Sequence, residues 1–371
     1  MIVVLAAWGA LAAWLYLLIA RGRFWLEFAR RPSAEPSSAG ADPSVVEVIP
    51  ARNEAGVVAQ AIASLAAQQY GGRFHIVLVD DHSTDGTAEI ARAAAPPGLV
   101  TVIHAAPLPP GWTGKLWAVA EGIRQAAAFD PEFLLLTDAD IVHPPDNLRT
   151  LTAHTGCDLV SYMATLECRT LAERALIPAF VFFFFMLYPP AWIRDPRRRT
   201  AGAAGGCMLV RRRALEEAGG IAAIRGELID DCALARILKH RGGRVWLGLG
   251  SATRSIRPYA GFAEIGGMIS RTAYTQLGRS ALLLAACVAG MFWIYLLPPL
   301  ALAAAPLPAA AAWLAMALAY WPALRYYRRS WLWTPLLPLV AAFYLGATVH
   351  SAICHWRGRG GQWKGRAQAA G

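Results

Sequence analysis

The residues best suited to chemistry in this 371-residue chain are carboxylates in three pairs: Asp80 with Asp81, Asp138 with Asp140, and Asp230 with Asp231. The first pair closes the apolar run Ile76, Val77, Leu78, Val79 within "HIVLVDDHSTDGT" (75–87). That run is β-branched and apolar on both faces, as in a buried strand of a parallel sheet. Carboxylates at its carboxyl end stand where open α/β sheets bind ligands. They also read as plain turn residues, because Ser83, Thr84, Asp85 and Gly86 end the strand and Thr87 is placed to cap a helix over 88–95. The second pair ends another apolar run, in "FLLLTDAD" (133–140). In an extended segment residues i and i+2 share a side, so Asp138 and Asp140 could hold a hard divalent ion, Mg²⁺ or Mn²⁺, completed by water and phosphate oxygens. The third pair opens a helix in "IDDCALARIL" (229–238). Carboxylates there complement the helix dipole, a role that needs no chemistry.

The elements that must position these groups follow one another as strand, helix, strand, helix, strand. "VVEVIP" (45–50) reads as a strand, followed by the loop "ARNEAG" with Arg52 and Glu54, a helix over about 57–69, the strand ending at Asp80, a helix, and a third strand at 100–104. This order indicates an α/β class with a parallel, nucleotide-binding type of sheet. The segment "PLPPGWTGKLWAVAEGI" (107–123) places Lys115 between glycines at a helix start. That arrangement suits an anion, although it does not match a P-loop and a solvated lysine fits equally. "AGAAGGCMLVRRRALEEAGG" (201–220) reads as a small-residue loop, a short strand and a helix closed by glycines. His82, His104 and His143 look isolated, with no nucleophile or partner in the local sequence.

The whole chain is 56% hydrophobic and 16% charged, more apolar than an ordinary soluble protein. Residues 2–20 carry no charge and are long enough to cross a bilayer; Arg21, Arg23, Arg30 and Arg31 follow, and no cleavage site precedes them, which favours an uncleaved anchor. Further spans are expected at 281–303, 308–324 and 332–353. The expected division is an anchor (1–22), a linker (23–44) whose Pro/Ser/Ala-rich part is flexible or extended, an α/β domain (45–279), a helical block (280–354) and a basic tail (355–371). The positive-inside rule places the α/β domain in the cytoplasm of an inner-membrane, multi-pass protein. Arg325, Arg328 and Arg329 agree with it, whereas three full C-terminal spans would leave Arg357, Arg359, Lys364 and Arg366 outside. The apolar stretch in "LIPAFVFFFFMLYPPAWIRDPRRR" (176–199) is read as an interfacial segment at about 176–193, the alternative being a buried core helix. The formal net charge of +10 gathers beside the apolar blocks, so an anionic membrane surface is the expected partner and nucleic acid is not. Six scattered cysteines indicate unpaired thiols in a reducing compartment.

Taken together over 43–255, these motifs resemble family 2 glycosyltransferases of the GT-A type. "VIPARNE" (48–54) is similar to the opening strand and nucleotide loop, "VDDHSTDGT" (79–87) to the second loop, "GKLWAVAEG" (114–122) to the lysine segment, and "TDAD" (137–140) to the metal and diphosphate motif. "GCMLVRRRALEEAGG" (206–220) and "IDDCALARIL" resemble the acceptor-side loop and the motif of the general base; Asp230 stands where the family usually has Glu. With the terminal apolar blocks and "SRTAYTQL" (270–277), the chain looks most similar to membrane glycosyltransferases associated with hopanoid biosynthesis.

The resemblance implies a GT-A, Rossmann-like domain between an N-terminal transmembrane helix and a C-terminal transmembrane block. It implies an inverting transfer from a nucleotide-sugar donor, UDP-linked by analogy, to a lipid acceptor such as a hopanoid or polyisoprenoid. Asp231 would be the base, with Asp230 beside it; Asp138 and Asp140 would hold Mg²⁺ or Mn²⁺; Pro50, Arg52, Glu54, Asp80, Asp81, Lys115 and Asp138 would hold the donor; Gly206, Cys207 and Arg271 would lie on the acceptor side. Processive members carry Gln-x-x-Arg-Trp after the base; "MISRTAY" (268–274) keeps only Arg271, which implies transfer of a single sugar. Two other readings use the same residues: a catalytically idle membrane scaffold that retains the nucleotide site, and a metal-dependent phosphotransferase or hydrolase.

Overall fold

The structure, a computed structural model, describes residues 1–30, 42–154, 156–363 and 366–367. Half of the expected linker, 31–41, and Lys364 of the basic tail lie outside the described residues. The chain divides into two compact units. One is helical and holds residues 1–30, 167–191 and 258–361; the other holds, among its described residues, 42–154, 156–166, 192–257, 362–363 and 366–367. The stretch expected as one domain, 45–279, is therefore shared: 167–191 and 258–279 go with the helical unit.

The α/β unit is built on a sheet of eight strands: β1 (Val45–Ala51), β2 (Phe74–Asp80), β3 (Val100–His104), β4 (Phe133–Leu136), β5 (Ile141–Val142), β6 (Leu159–Thr165), β7 (Met208–Arg211) and β8 (Val245–Ser255). Their order in the sheet is β3-β2-β1-β4-β7-β6-β8-β5. The expected parallel half is present, since β1 pairs in parallel with β2 and β4, and β2 with β3. The other half is mixed, because β7 runs antiparallel to both β4 and β6. All seven residues of β1 are buried, as required of a strand covered on both faces.

The chain leaves β1 toward β2 and β3 on one side and returns as β4 on the other. This is a topological switch point, where the carboxyl ends of strands open a crevice. The acidic motifs follow β2 and β4, and the loop of Arg52 and Glu54 follows β1. Helices α2 (Val58–Ala66), α3 (Thr87–Ala93), α4 (Gly114–Ala126) and α5 (Asn147–Thr152) connect or cover these strands. Thr113 caps α4 by accepting from the Leu116 amide at 3.3 Å. Gly122 is required on its buried face, since a Cβ there would overlap the side chain of Val48 on β1.

In the helical unit, α1 (Ile2–Ile19) packs through Ala7, Ala10 and Trp14, which are fully buried. The Trp14 indole donates to the Ile294 carbonyl at 2.7 Å and meets Tyr295 edge-on. The apolar stretch before the second half of the sheet forms α6 (Leu171–Leu187), opened by a capping box between Thr170 and Glu173. It is followed by α7 (Pro190–Arg194). Five helical segments are long and apolar enough to cross a membrane by length and composition: Ile2–Ile19, Leu171–Arg194, Ala281–Leu300, Pro306–Tyr326 and Trp331–Trp356. Four match the expected spans. The fifth takes in the stretch 176–193 expected to be interfacial; Ile177, Val181, Phe182 and Phe185 in it are fully buried, with Phe182 against Phe24 and Tyr320, while Leu187 and Ala191 are exposed.

The helices α8 (Arg212–Glu217) and α9 (Asp230–His240) complete the α/β unit, and α10 (Phe262–Gln276), α11 (Ala281–Met291), α12 (Leu297–Leu300), α13 (Pro306–Tyr326) and α14 (Leu337–Trp356) the helical one.

Candidate active site

The loops after β1 and β2 are tied to each other by the turn residues of the second loop. The amides of Asn53, Glu54 and Ala55 donate to Ser83 Oγ (2.9 Å), Thr87 Oγ1 (2.8 Å) and Asp85 Oδ2 (3.0 Å), and the Thr84 amide donates to Asn53 Oδ1 (2.9 Å). Thr87 therefore does not cap α3 as expected; Gly86 occupies the cap position, and the Thr87 hydroxyl holds the first loop. Asn53 and His82 adopt left-handed φ values of 52° and 57°, which turns both loops back over the strand ends.

Asp80 and Asp81 are nearly fully buried at the base of these loops. Arg52 bonds to the carbonyl of Asp81, and its Nη1 lies 3.6 Å from Asp81 Oδ2. Two histidines that looked isolated in the sequence are partners here: His82 Nδ1 is 3.2 Å from Asp81 Oδ1, and His104 Nδ1 is 3.1 Å from Asp80 Oδ2. Asp80 Oδ1 and Arg52 Nε are buried without a hydrogen-bond partner. One acceptor and one donor are thus unused at the edge where a base or ribose would lie.

Beyond β4 the expected extended segment is absent. The strand ends at Leu136, and Asp138 to Asp140 pass through a turn. The two carboxylates consequently have different partners. Lys115 Nζ sits 3.0 Å from Asp138 Oδ1 and 3.1 Å from Asp230 Oδ2, so it bridges the β4 loop and the first turn of α9. Burial opposes the charge on Lys115, but Asp138 and Asp230 outweigh it and hold the ammonium above its usual value. Asp140 accepts from Arg257 Nε at 2.9 Å and from Ser255 Oγ at 3.2 Å.

Asp231 lies beside Gly205. Its Oδ2 accepts from the Gly205 amide at 3.0 Å and its Oδ1 from the Cys232 amide at 2.7 Å. Gly205 lies beside both groups: a Cβ at 205 would stand 3.5 Å from Asp231 Oδ2 and 3.5 Å from Lys115 Nζ, an ordinary contact distance. Burial and the adjacent Asp230 push the Asp231 carboxyl up to about 6, against the pull of Lys115 and two backbone amides. A small cavity of about 20 Å³ is walled by Pro50, Lys115, Asp138, Gly205 and Asp230.

The acceptor-side residues fall in both units. The Gly206 carbonyl accepts from Thr137 Oγ1 at 2.7 Å, and His143 Nε2 lies 2.9 Å from the same hydroxyl, which joins the "TDAD" segment to the small-residue loop. Cys207 lies in the core: it is fully buried, and desolvation raises its thiol to about 12. Arg271 is exposed on α10, in the helical unit. Arg257, Ser255, Thr137 and His143 were not singled out as site residues; the signal available was "RSIRP" (254–258), an arginine directly after a strand.

Among the described residues no group of three or more His, Cys, Asp or Glu side chains forms a metal cage. The all-oxygen pair Asp138 and Asp140 still fits Mg²⁺ or Mn²⁺ of the kind bound by one or two carboxylates and completed by phosphate oxygens.

Comparison with known proteins agrees with this architecture. Residues 43–271 match the model of the "Glycosyltransferase like family 2". A solved structure of the mannosyltransferase PcManGT from Pyrobaculum calidifontis, in complex with GDP-Man and Mn²⁺, superposes with a TM-score of 0.57 at 19% identity, over 93% of this chain and 98% of that one. Glucosyl-3-phosphoglycerate synthase from Mycobacterium tuberculosis, in complex with Mg²⁺ and UDP, aligns at 20% identity over 67% of this chain and 85% of that one, with a TM-score of 0.43. No curated protein sequence matches. The family match covers well over half of the chain and coincides with the GT-A, Rossmann-like sheet and its acidic loops, so the chain belongs to the family 2-like glycosyltransferases.

Proposed function

We propose that the protein is a membrane-bound, inverting glycosyltransferase that moves one sugar from a nucleoside-diphosphate donor to a hydroxyl of a lipid acceptor. The observation that carries this reading is the meeting, beside Gly205, of the raised carboxyl of Asp231 with the Lys115 ammonium that Asp138 and Asp230 hold. A base must be unprotonated at working pH yet basic enough to take a hydroxyl proton, and a value near 6 meets both demands.

In the transfer, Asp231 accepts the proton of the acceptor hydroxyl as its oxygen attacks the anomeric carbon from the face opposite the diphosphate. The bond to the diphosphate breaks, and the charge that develops there faces Lys115. A divalent cation held by Asp138 and Asp140 supplies Lewis-acid stabilisation of the same diphosphate when bound. Arg52 and Asp80 offer the free donor and acceptor noted above to the base and ribose, with Asp81 and Glu54 supporting the two loops. Nucleotide-sugar and Mn²⁺ binding by PcManGT supports the donor side of this reading.

The lipid acceptor is supported by five candidate spans in the same chain. A hopanoid or polyisoprenoid is the class that the sequence resemblance favours. Arg21, Arg23 and Arg30 after the first span support an inner-membrane protein with the α/β unit on the cytoplasmic side. Arg271 without the flanking Gln and Trp supports a single transfer.

The test is to titrate UDP, GDP and their sugar conjugates into the detergent-purified full chain, with and without Mn²⁺, and to assay transfer to lipid extracts. Asp231→Asn should keep donor binding and lower transfer by about 10²–10⁴-fold. Asp140→Ala should weaken metal-dependent donor binding itself. Equal loss of donor binding in both variants would reject this division of roles, and no nucleotide binding by the wild type would favour the scaffold reading.

A further inference from the structure

The carboxyl edge of the sheet sets Arg52, Lys115 and Arg257 against its acids, and the transfer described above gives no part to Arg257. Arg257 follows the last residue of β8 by two positions. Its Nε donates to Asp140 Oδ2 at 2.9 Å, and its Nη2 lies 2.7 Å from both oxygens of Glu54. The local backbone is held, because the Ile256 amide donates to the Asp140 carbonyl at 2.9 Å and the Arg257 amide to Ser255 Oγ at 3.3 Å. The side chain is 32% exposed, so its guanidinium can turn about its own torsions without moving the strand.

Asp140 is one of the two carboxylates that fit a divalent cation, and Glu54 lies in the loop after β1. A guanidinium and a divalent cation on the same carboxylate repel each other, so occupancy by one weakens the other. A guanidinium released there is matched in shape and charge to a phosphate pair, as it is to a carboxylate pair.

We propose that Arg257 is an exchangeable cation of the donor site: it holds Asp140 and Glu54 together, gives up Asp140 to a divalent cation, and then pairs with the diphosphate of the donor. This rests on the donor reading proposed above. Its consequence is that metal and diphosphate bind together far better than either binds alone, since each relieves a cost that the other would meet by itself.

The experiment measures Mn²⁺ affinity by electron paramagnetic resonance on the detergent-solubilised full chain, first with Mn²⁺ alone and then with UDP or GDP added. Arg257→Gln is compared with Arg254→Gln, which removes the same charge from an exposed position on β8. Arg257→Gln should bind Mn²⁺ alone about tenfold more tightly and the nucleotide, at saturating Mn²⁺, about tenfold more weakly, whereas Arg254→Gln should change neither by more than about twofold. Should Arg257→Gln show no cooperative melting transition, Arg257→Lys takes its place; its single ammonium cannot span both carboxylates, and the same two shifts are expected at smaller size.

Unchanged Mn²⁺ affinity in the Arg257 variants, or an equal rise in Arg254→Gln, would overturn the exchange. A wild type that binds Mn²⁺ and nucleotide cooperatively beside such a result would leave the donor reading standing. A wild type that binds neither nucleotide would overturn the diphosphate half of the proposal together with the donor reading, while tighter Mn²⁺ binding by Arg257→Gln alone would still support the competition for Asp140.

Discussion

Asp231 and Asp230 are neighbours in sequence with the same side chain, yet their surroundings divide them. Asp230 is neutralised by Lys115 at 3.1 Å, whereas Asp231 points at two backbone amides and faces Asp230 as a like charge. That difference supports Asp231 over Asp230 as the proposed base, and it predicts a pH profile. A carboxyl raised to about 6 is protonated and idle below that value, so kcat/KM for transfer should fall tenfold per pH unit below about 6 and level off above it. A rate measured from about pH 4.5 to 8 with no break on the acidic limb would remove Asp231 from the role. The acidic pairs were legible in the sequence because Asp after an apolar run is conspicuous. Their partners were not: Lys115 and Asp230 are 115 residues apart, and Arg257 lies 203 residues from Glu54.

At the scale of elements, the sheet brings the motifs to one edge and also contains a group that no motif describes. Glu47, in the middle of β1, is fully buried, and neither carboxylate oxygen has a hydrogen-bond partner. Burial raises its pKa well above the usual 4.5. The sign follows: Glu47 is neutral in both folded and unfolded chains below 4.5, and as pH rises the unfolded chain ionises first, so stability is lost until the folded value is reached. Glu47→Gln cannot ionise and should melt higher than wild type at pH 8, by on the order of 1–3 kcal/mol, with the advantage shrinking toward the carboxyl's ordinary range. A difference in melting temperature that is constant with pH would contradict this account. The "VVEVIP" strand was readable from its β-branched residues, but its buried acid was not, because alternation assigned no face to Glu47 in a strand covered on both sides.

The whole molecule joins an α/β sheet to apolar helices through insertions in the chain. The sheet is interrupted between β6 and β7 by α6, and those two strands pair directly, Leu159 opposite Val210 and Ser161 opposite Met208. This pairing predicts that the chain leaves and re-enters on one side of a bilayer, although α6 and α7 together are long and apolar enough to span. Cysteines introduced at Arg169 and at Arg198, which are 79% and 55% exposed, should be labelled by an impermeant maleimide from the same side of sealed vesicles. Labelling from opposite sides would show that α6 crosses alone.

The sequence by itself determined the α/β class, the parallel half of the sheet, four of the five apolar spans and the positions of the acidic motifs. These rest on local features: runs of β-branched residues, uncharged stretches of bilayer length, and carboxylates at strand ends. Tertiary structure decided what depends on groups distant along the chain. It placed β7 antiparallel in the sheet, buried α6 and Cys207, turned the β4 loop so that Asp138 and Asp140 face different cations, and set His82 and His104 against Asp81 and Asp80. Periodicity reports the face a residue presents, whereas the partner across that face is chosen by the fold.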